Sequence, residues 1–318
     1  MDERYAQVAK NLNKAKDIAI YCHTNPDGDT LSSSLALYCA LKNLGKQVSI
    51  YCDGPVPTKF HCLSGYENIV FPHKGVHELA VSVDCASIDR LGQCMKSFLS
   101  AKTQIAIDHH MSFARFAELC LVDAQAAACA QIIYKLLKQM KAVDDQIAKL
   151  LFAGIVTDSG CFAYSSVTKE THQIACELLD YDFDGSDVIY DVFRSSDLNK
   201  FNLKCRVLEK IKFYSDNQIA IIVFNKSDFE ATGTDTSYTE GIIAEVIAIA
   251  DVKVAYSLAE VGSKSYKVSI RTKDKLVDAA DIAMNMGGGG HKAAAGCRVN
   301  GYLEDIIEKL LKYANDRL

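Results

Sequence analysis

The feature that most restricts this chain is an alternation of short apolar runs and helix-like stretches through its first half, with several runs stopping at an acid or an imidazole. DIAIYCH (17–23) leads into TLSSSLALYCALKNLG (30–45), whose Gly45 suits a helix C-terminus. QVSIYC (47–52), ELAVSVD (78–84) and QIAID (104–108) read as further strands. A helix at about 125–140 precedes another, DDQIAKLLFAGIVTD (144–158). This order predicts an α/β fold class: a mostly parallel sheet flanked by helices, with ligands gathering beyond the carboxyl ends of the strands.

The second half reads differently. GSDVIYDVFRSSD (185–197) loses periodicity and marks a boundary, so the expected division is a domain over 1–184, a linker over 185–199 and a smaller α+β domain over 200–318. In that second domain KFNLKCRVLEKIKFY (200–214) and EGIIAEVIAIA (240–250) read as helices. QIAIIVF (218–224), VKVAYSLAEV (252–261) and SYKVSIRT (265–272) read as antiparallel strands. The chain's 318 residues, 49% of them apolar, are enough for two buried cores.

Composition narrows the function classes. The twelve cysteines are scattered singly with no C-x-x-C, which suits reduced thiols. The opening MDERYAQVAKNLNKAK lacks the apolar core of a signal peptide, and no run approaches the ~18 residues of a membrane span. A soluble, cytoplasmic protein without membrane contacts is expected. Net charge is −5, with 18 basic against 24 acidic side chains in residues 1–199 and 17 against 16 in the rest. An acidic chain without a basic stripe is ill suited to grip long duplex nucleic acid, so any substrate should carry few phosphates.

The chemistry-bearing residues collect at the ends of the apolar runs. HTNPDGD offers His23, Asp27 and Asp29; VSVD ends in Asp84; IAIDHH brings Asp108, His109 and His110; GIVTDSG brings Asp158. Taken singly, D-G-D is a solvated turn, Asp84 and Asp158 are plausible caps, and paired histidines are surface residues. Read as four strand ends of one sheet, they would crowd carboxylates that need a counter-charge. Two divalent cations sharing a bridging carboxylate supply it, and mixed imidazole and carboxylate donors suit Mn2+. Adjacent residues at a strand end point apart, so Asp108, His109 and His110 should divide their work. In the second domain MGGGGHKAAAG (286–296) offers backbone N–H groups to an anion, with His291 and Lys292 beside them. KSYKVSIRTKDK (264–275) reads as a lysine-guarded edge strand in which Arg271 has the fork that matches phosphate.

The set HTNPDGDT, VSVDC, AIDHH and GIVTDSG, followed by MGGGGH, resembles the DHH phosphoesterases that carry a DHH-associated C-terminal domain. Within them it looks most like the bifunctional nano-RNase (oligoribonuclease) and pAp-phosphatase subgroup. The resemblance implies a two-metal phosphoesterase using Mn2+, with Mg2+ or Co2+ as substitutes. It would hydrolyse short single-stranded RNA to mononucleotides and dephosphorylate 3′-phosphoadenosine 5′-phosphate by in-line attack of a bridging water, in a cleft between the two domains. His23, Asp27 and Asp84 would hold one ion; Asp29, Asp84, His109 and Asp158 the other. Asp108 would orient a histidine and His110 would face the scissile phosphate, making Asp84, Asp108 and His110 the catalytic set. Arg271, Gly288, Gly289, Gly290 and His291 would bind substrate, and a homodimer is compatible with the pattern. The chain departs from the family at Ser32, where glycine is common, at Cys161, where arginine is common, and at Phe113, where asparagine is frequent. The usual small hydroxyl residues are absent near AAACA (126–130). None of these removes a metal ligand. A cyclic dinucleotide such as c-di-AMP, or its linear product pApA, is the alternative substrate. A sensor without catalysis is disfavoured, because buried carboxylates are costly to keep idle.

Overall fold

The computed structural model describes residues 2–71, 75–239 and 241–318. Glu240, the first residue of the helix expected over 240–250, lies outside the described residues. The chain divides into two compact units, Met1–Ser195 and Ser196–Leu318.

The first unit runs α1 (Glu3–Lys14), β1 (Asp17–Tyr21), α2 (Gly28–Asn43), β2 (Gln47–Tyr51), β3 (Ile69–Val70), β4 (Leu79–Val83), α3 (Met95–Ser100), β5 (Thr103–Asp108), β6 (Leu119–Val122), α4 (Cys129–Gln139), α5 (Asp145–Asp158), α6 (Lys169–Leu178) and α7 (Gly185–Ile189). Its strands form a sheet in the order β3-β2-β1-β4-β5-β6, every pairing parallel. Alternation along each strand builds two cores. Ile18, Ile20, Val81, Val83, Ile105 and Ile107 join the side chains of α1, α2, α4 and α5 on one face. Ala19, Ala80 and Ala106 turn to the other, where their small size leaves room for Tyr21, Tyr51 and Phe98. Chain order reverses direction between β1 and β4, the switch point where open parallel sheets hold ligands. The segment 185–199, expected as a join, is largely helical, with α7, a π-turn at Tyr190–Arg194 and the start of the next helix.

The second unit runs α8 (Leu198–Leu208), β7 (Lys212–Tyr214), β8 (Ile219–Phe224), α9 (Lys226–Thr232), α10 (Ile242–Ile247), β9 (Val254–Gly262), β10 (Ser265–Thr272), α11 (Ala279–Met284), β11 (Gly289–His291), β12 (Ala294–Asn300) and α12 (Leu303–Asn315). Its sheet order is β11-β12-β10-β9-β8-β7. Two expectations are corrected here. Residues 212–214 are strand β7 and not the end of a helix, because Ser215, Asp216 and Asn217 take left-handed backbone and fold the chain back onto β8. Strands β8 and β9 are parallel and not antiparallel, since α9 and α10 between them supply the long crossover a parallel pair needs. Helices α11 and α12 cover one face and α8, α9 and α10 the other; α12 contributes Ile306, Leu310 and Ala314, one buried stripe at four-residue spacing.

Candidate metal centre

Three strand ends and one helix end build the centre. Beyond β1 the chain reaches His23, and Asp27 then caps α2, its Oδ1 accepting the Thr30 N–H at 3.1 Å. Asp29 lies in the first turn of α2, and Asp84 follows β4 with φ 59°, left-handed backbone that is rare for a residue other than glycine. Asp108 ends β5. Asp158 ends helix α5, matching the helix expected over 144–158; its grouping with the other acids as a fourth strand end is corrected. Leu150–Val156 is apolar because α5 is buried nearly all round, a pattern that a short apolar run cannot distinguish from a strand. A carboxylate at a helix C-terminus faces the negative end of the dipole, an unfavourable place unless a cation is expected there.

Asp84 is the hub. Its Oδ2 faces His23 Nε2 at 3.8 Å, and its Oδ1 faces His109 Nε2 at 3.4 Å and His110 Nδ1 at 3.6 Å. Asp27 Oδ2 lies 3.6 Å from His23 Nε2, and Asp158 Oδ2 lies 3.3 Å from His109 Nε2. Potential ligand atoms gather in three overlapping groups: His23, Asp27 and Asp84; Asp29, His109 and Asp158; Asp84, His109 and His110. The structure thus brings together all six expected ligands. His109 and His110 do not point apart, as period-two alternation implies; their rings lie 4.7 Å apart, because the strand stops at Asp108.

Backbone carbonyls fix the tautomers. His23 Nδ1 lies 2.8 Å from Thr24 O, and His109 Nδ1 lies 3.1 Å from Ala126 O. A carbonyl only accepts, so each Nδ1 carries a proton and each Nε2 is the nitrogen turned toward the carboxylates, the one whose lone pair a cation would take. His110 is held otherwise: Asp108 Oδ1 accepts from its Nδ1 at 2.7 Å, leaving Nε2 outward on a half-buried ring.

The electrostatics fit a cation. Burial, then the charges of Asp84 and Asp158, pushes the Asp29 carboxyl well above its usual range. Burial likewise pushes Asp158 up to about 6, against the pull of His109. Burial disfavours charge on His109, but the close approach of Asp84 and the charges of Asp29, Asp84 and Asp158 outweigh it and push the imidazole up to about 10. Protons are thereby held where positive charge is missing. Asp84 Oδ1 and Asp108 Oδ2 are buried with no hydrogen-bond partner among the described residues, which is costly unless a cation meets the charge. The donors are imidazole nitrogen and carboxylate oxygen, without thiolate, so the residues fit a hard or borderline divalent ion.

Two features escape sequence reasoning. Asp29 also accepts from Cys129 N at 2.5 Å, Ala130 N at 3.0 Å and Ser33 Oγ at 2.9 Å, capping α4 from another helix. The signal was available in AAACA: α4 begins after Ala128, which has no capping side chain. Arg90, in the loop after Asp84, places Nη2 3.2 Å from His23 Nδ1, and nothing in IDRLG distinguishes it from a solvated arginine.

The other expected residues belong to the second unit. Arg271 pairs with Ala294 in β12, and His291 pairs with the same Ala294 from the opposite side. Paired residues share a sheet face, so Arg271 and His291 flank one alanine, about 10 Å apart across two strand spacings. The glycine run is strand β11 in part, and packing accounts for two of its members. A Cβ at Gly288 would meet Gly296 O at 2.2 Å, and one at Gly290 would meet Ala295 Cα at 2.5 Å. Among the described residues no helix is long and apolar enough to cross a membrane.

Comparison with known proteins agrees with this architecture. The DHH family, N-terminal domain, matches residues 17–155, and the DHHA1 domain matches residues 215–318. The bifunctional oligoribonuclease and PAP phosphatase NrnA of Thermus thermophilus is 31% identical, over 99% of this chain and 95% of the relative. Its namesake from Bacillus subtilis is 24% identical over 96% of each. The crystal structure of an exopolyphosphatase-related protein from Bacteroides fragilis superposes with a TM-score of 0.91 at 22% identity, covering 99% of this chain and 96% of that one.

Proposed function

The chain belongs to the DHH family, and from that membership we propose that it is a phosphoester hydrolase that cuts very short oligoribonucleotides to mononucleotides and removes the 3′-phosphate of 3′-phosphoadenosine 5′-phosphate. The observation that carries the reading is the division of Asp84, one oxygen toward His23 and the other toward His109. A carboxylate so divided suits a bridge between two cations. His23, Asp27 and Asp84 would hold one and Asp29, Asp84, His109 and Asp158 the other, with Mn2+ favoured by the mixed donors. When bound, such ions supply Lewis-acid charge at the phosphoryl oxygens and lower the pKa of water.

The remaining steps belong to the chain's own side chains. Asp108 holds the Nδ1 proton of His110, and its bond, ahead of the opposing effect of burial, keeps the imidazole above its usual pKa. His110 Nε2 can therefore carry a proton near neutral pH and give it to the leaving oxygen. In the second unit Arg271 and His291, with Gly289 and Gly290 of the glycine run, are the groups we assign to a substrate phosphate; the Gly288 N–H is not available for it, since it already donates to Ala283 O at 2.8 Å. We draw the catalytic domain over 1–184 and the substrate domain over 200–318. Twelve unpaired cysteines suit a reducing cytoplasm.

The test is turnover with Mn2+ of a diribonucleotide, of the adenosine bisphosphate and of c-di-AMP in parallel. Mononucleotide release from the first two, abolished by chelation and reduced at least on the order of 10²–10³-fold by Asp84→Ala, is expected. Turnover of c-di-AMP alone, or activity indifferent to Asp84→Ala, would overturn the reading.

A further inference from the structure

Arg90 is the residue at the centre that the metal reading leaves unused. It lies in the 3-10 segment Ile88–Cys94, which is held from several sides. Thr24 N donates to Arg90 O at 2.7 Å, Arg90 N donates to Ser87 O at 3.1 Å, and Leu91 beside it is fully buried. Gly92 follows with φ 54°, and a Cβ there would meet Asp53 Oδ2 at 2.1 Å and Thr24 Cγ2 at 2.6 Å. Asp53 in turn accepts from Gln93 N at 2.8 Å and Gln93 Nε2 at 3.2 Å. The loop is thus pinned to the segment that carries His23.

The side chain, by contrast, is exposed and has no carboxylate within ion-pair reach among the described residues. Its Nη2 faces His23 Nδ1 at 3.2 Å. That nitrogen already gives its proton to Thr24 O, and it must do so for Nε2 to be a ligand. Two donors then face each other, so in the metal-binding tautomer the guanidinium finds no acceptor in the ring. Its fork faces solvent and is open to an anion from outside the chain.

We propose, resting on the hydrolase reading above, that Arg90 binds the phosphoryl oxygens of the substrate's phosphate ester beside the metal ions. The group is a substrate-binding arginine and not a device for ordering His23. Its fork takes two oxygens, and its pinned backbone confines the ordering cost to the side chain.

The experiment compares wild type, Arg90→Ala and Arg90→Lys in three measurements: Mn2+ affinity by calorimetry, steady-state hydrolysis of diadenylate, and equilibrium binding of inorganic phosphate to the Mn2+-loaded protein. Expected for Arg90→Ala is Mn2+ affinity within about threefold of wild type, with kcat/KM and phosphate affinity each falling on the order of 10- to 100-fold. Arg90→Lys should recover part of both. Unchanged kcat/KM and phosphate affinity in Arg90→Ala would overturn the proposal, as would loss of Mn2+ affinity in step with activity, since the arginine would then act through His23. Should wild type bind phosphate through Arg90 yet hydrolyse no ester, the hydrolase reading fails and the Arg90 assignment stands.

Discussion

Asp108 and Asp84 are both buried acids at strand ends, yet their surroundings give them different work. Asp84 meets two ligand histidines, whereas Asp108 meets only His110, through the proton of Nδ1. Asp108→Asn keeps the shape and an acceptor but removes the charge that raises the imidazole's pKa. The variant should therefore keep Mn2+ affinity within about threefold and lose about 10- to 100-fold in kcat. In the role proposed for it His110 acts in its protonated form, so the alkaline limb of the kcat–pH profile should move to lower pH, a sign that rate profiles over the full range would check. The residues that gather at the centre were legible in the sequence because acids and imidazoles followed apolar runs. The pairing of Asp108 with His110 and the approach of Arg90 were not, since side-chain direction after a strand's end is set by the loop and not by period two.

Helix ends explain where sequence reading succeeded and failed at the level of elements. β1, β4 and β5 announced themselves by β-rich runs ending in an acid or imidazole, and β10 matched the expected 265–272. The helix ending at Asp158 matched the expected 144–158, and only its grouping with the strand ends was wrong, because the last turns of a helix buried on most sides read as a plain apolar run. The parallel pairing of β8 with β9 was hidden because strands carry no mark of direction. Asp29 links two elements, capping α4 while standing in the ligand cluster. Asp29→Ala leaves the first N–H groups of α4 and the Ser33 hydroxyl unmet, and should cost about 1–3 kcal/mol in urea unfolding with chelator present. Asp29→Asn keeps one acceptor oxygen and removes a charge that its neighbours oppose, but turns an amide NH2 toward the donors of the other oxygen, so without metal it should lose less than Asp29→Ala. Equal losses in the two variants would mean that α4 does not depend on this acceptor.

Across the whole molecule the two units answer to different conditions. The first gathers negative charge that a cation relieves, so Mn2+ should stabilise it by mass action, about 2.7 kcal/mol at a hundredfold excess over Kd. The second is tied by a buried acid, Asp228, which accepts from Lys210 at 2.6 Å and Arg206 at 3.2 Å and joins α8 to α9. Burial raises its pKa, but the bonds from Lys210, Asn225 N–H and Arg206 outweigh that and hold it below the usual 3.8. A folded pKa below the unfolded one gives stability that is complete above 3.8 and lost as pH falls through the lower, folded value. Acid unfolding followed by hydrogen exchange should show the second unit losing protection in that window, and Asp228→Asn should be weaker at neutral pH but less acid-sensitive. The division of the chain into an α/β half and a mixed half was legible from composition and alternation, because each half has its own apolar pattern.

The central claim is that one carboxylate, Asp84, joins two cations. Anomalous scattering from crystals of the protein soaked in Mn2+ tests it most directly. Two peaks about 3.5–4 Å apart, each bonded to a different oxygen of Asp84, are the expected result. A single peak, or two that leave Asp84 untouched, would contradict it.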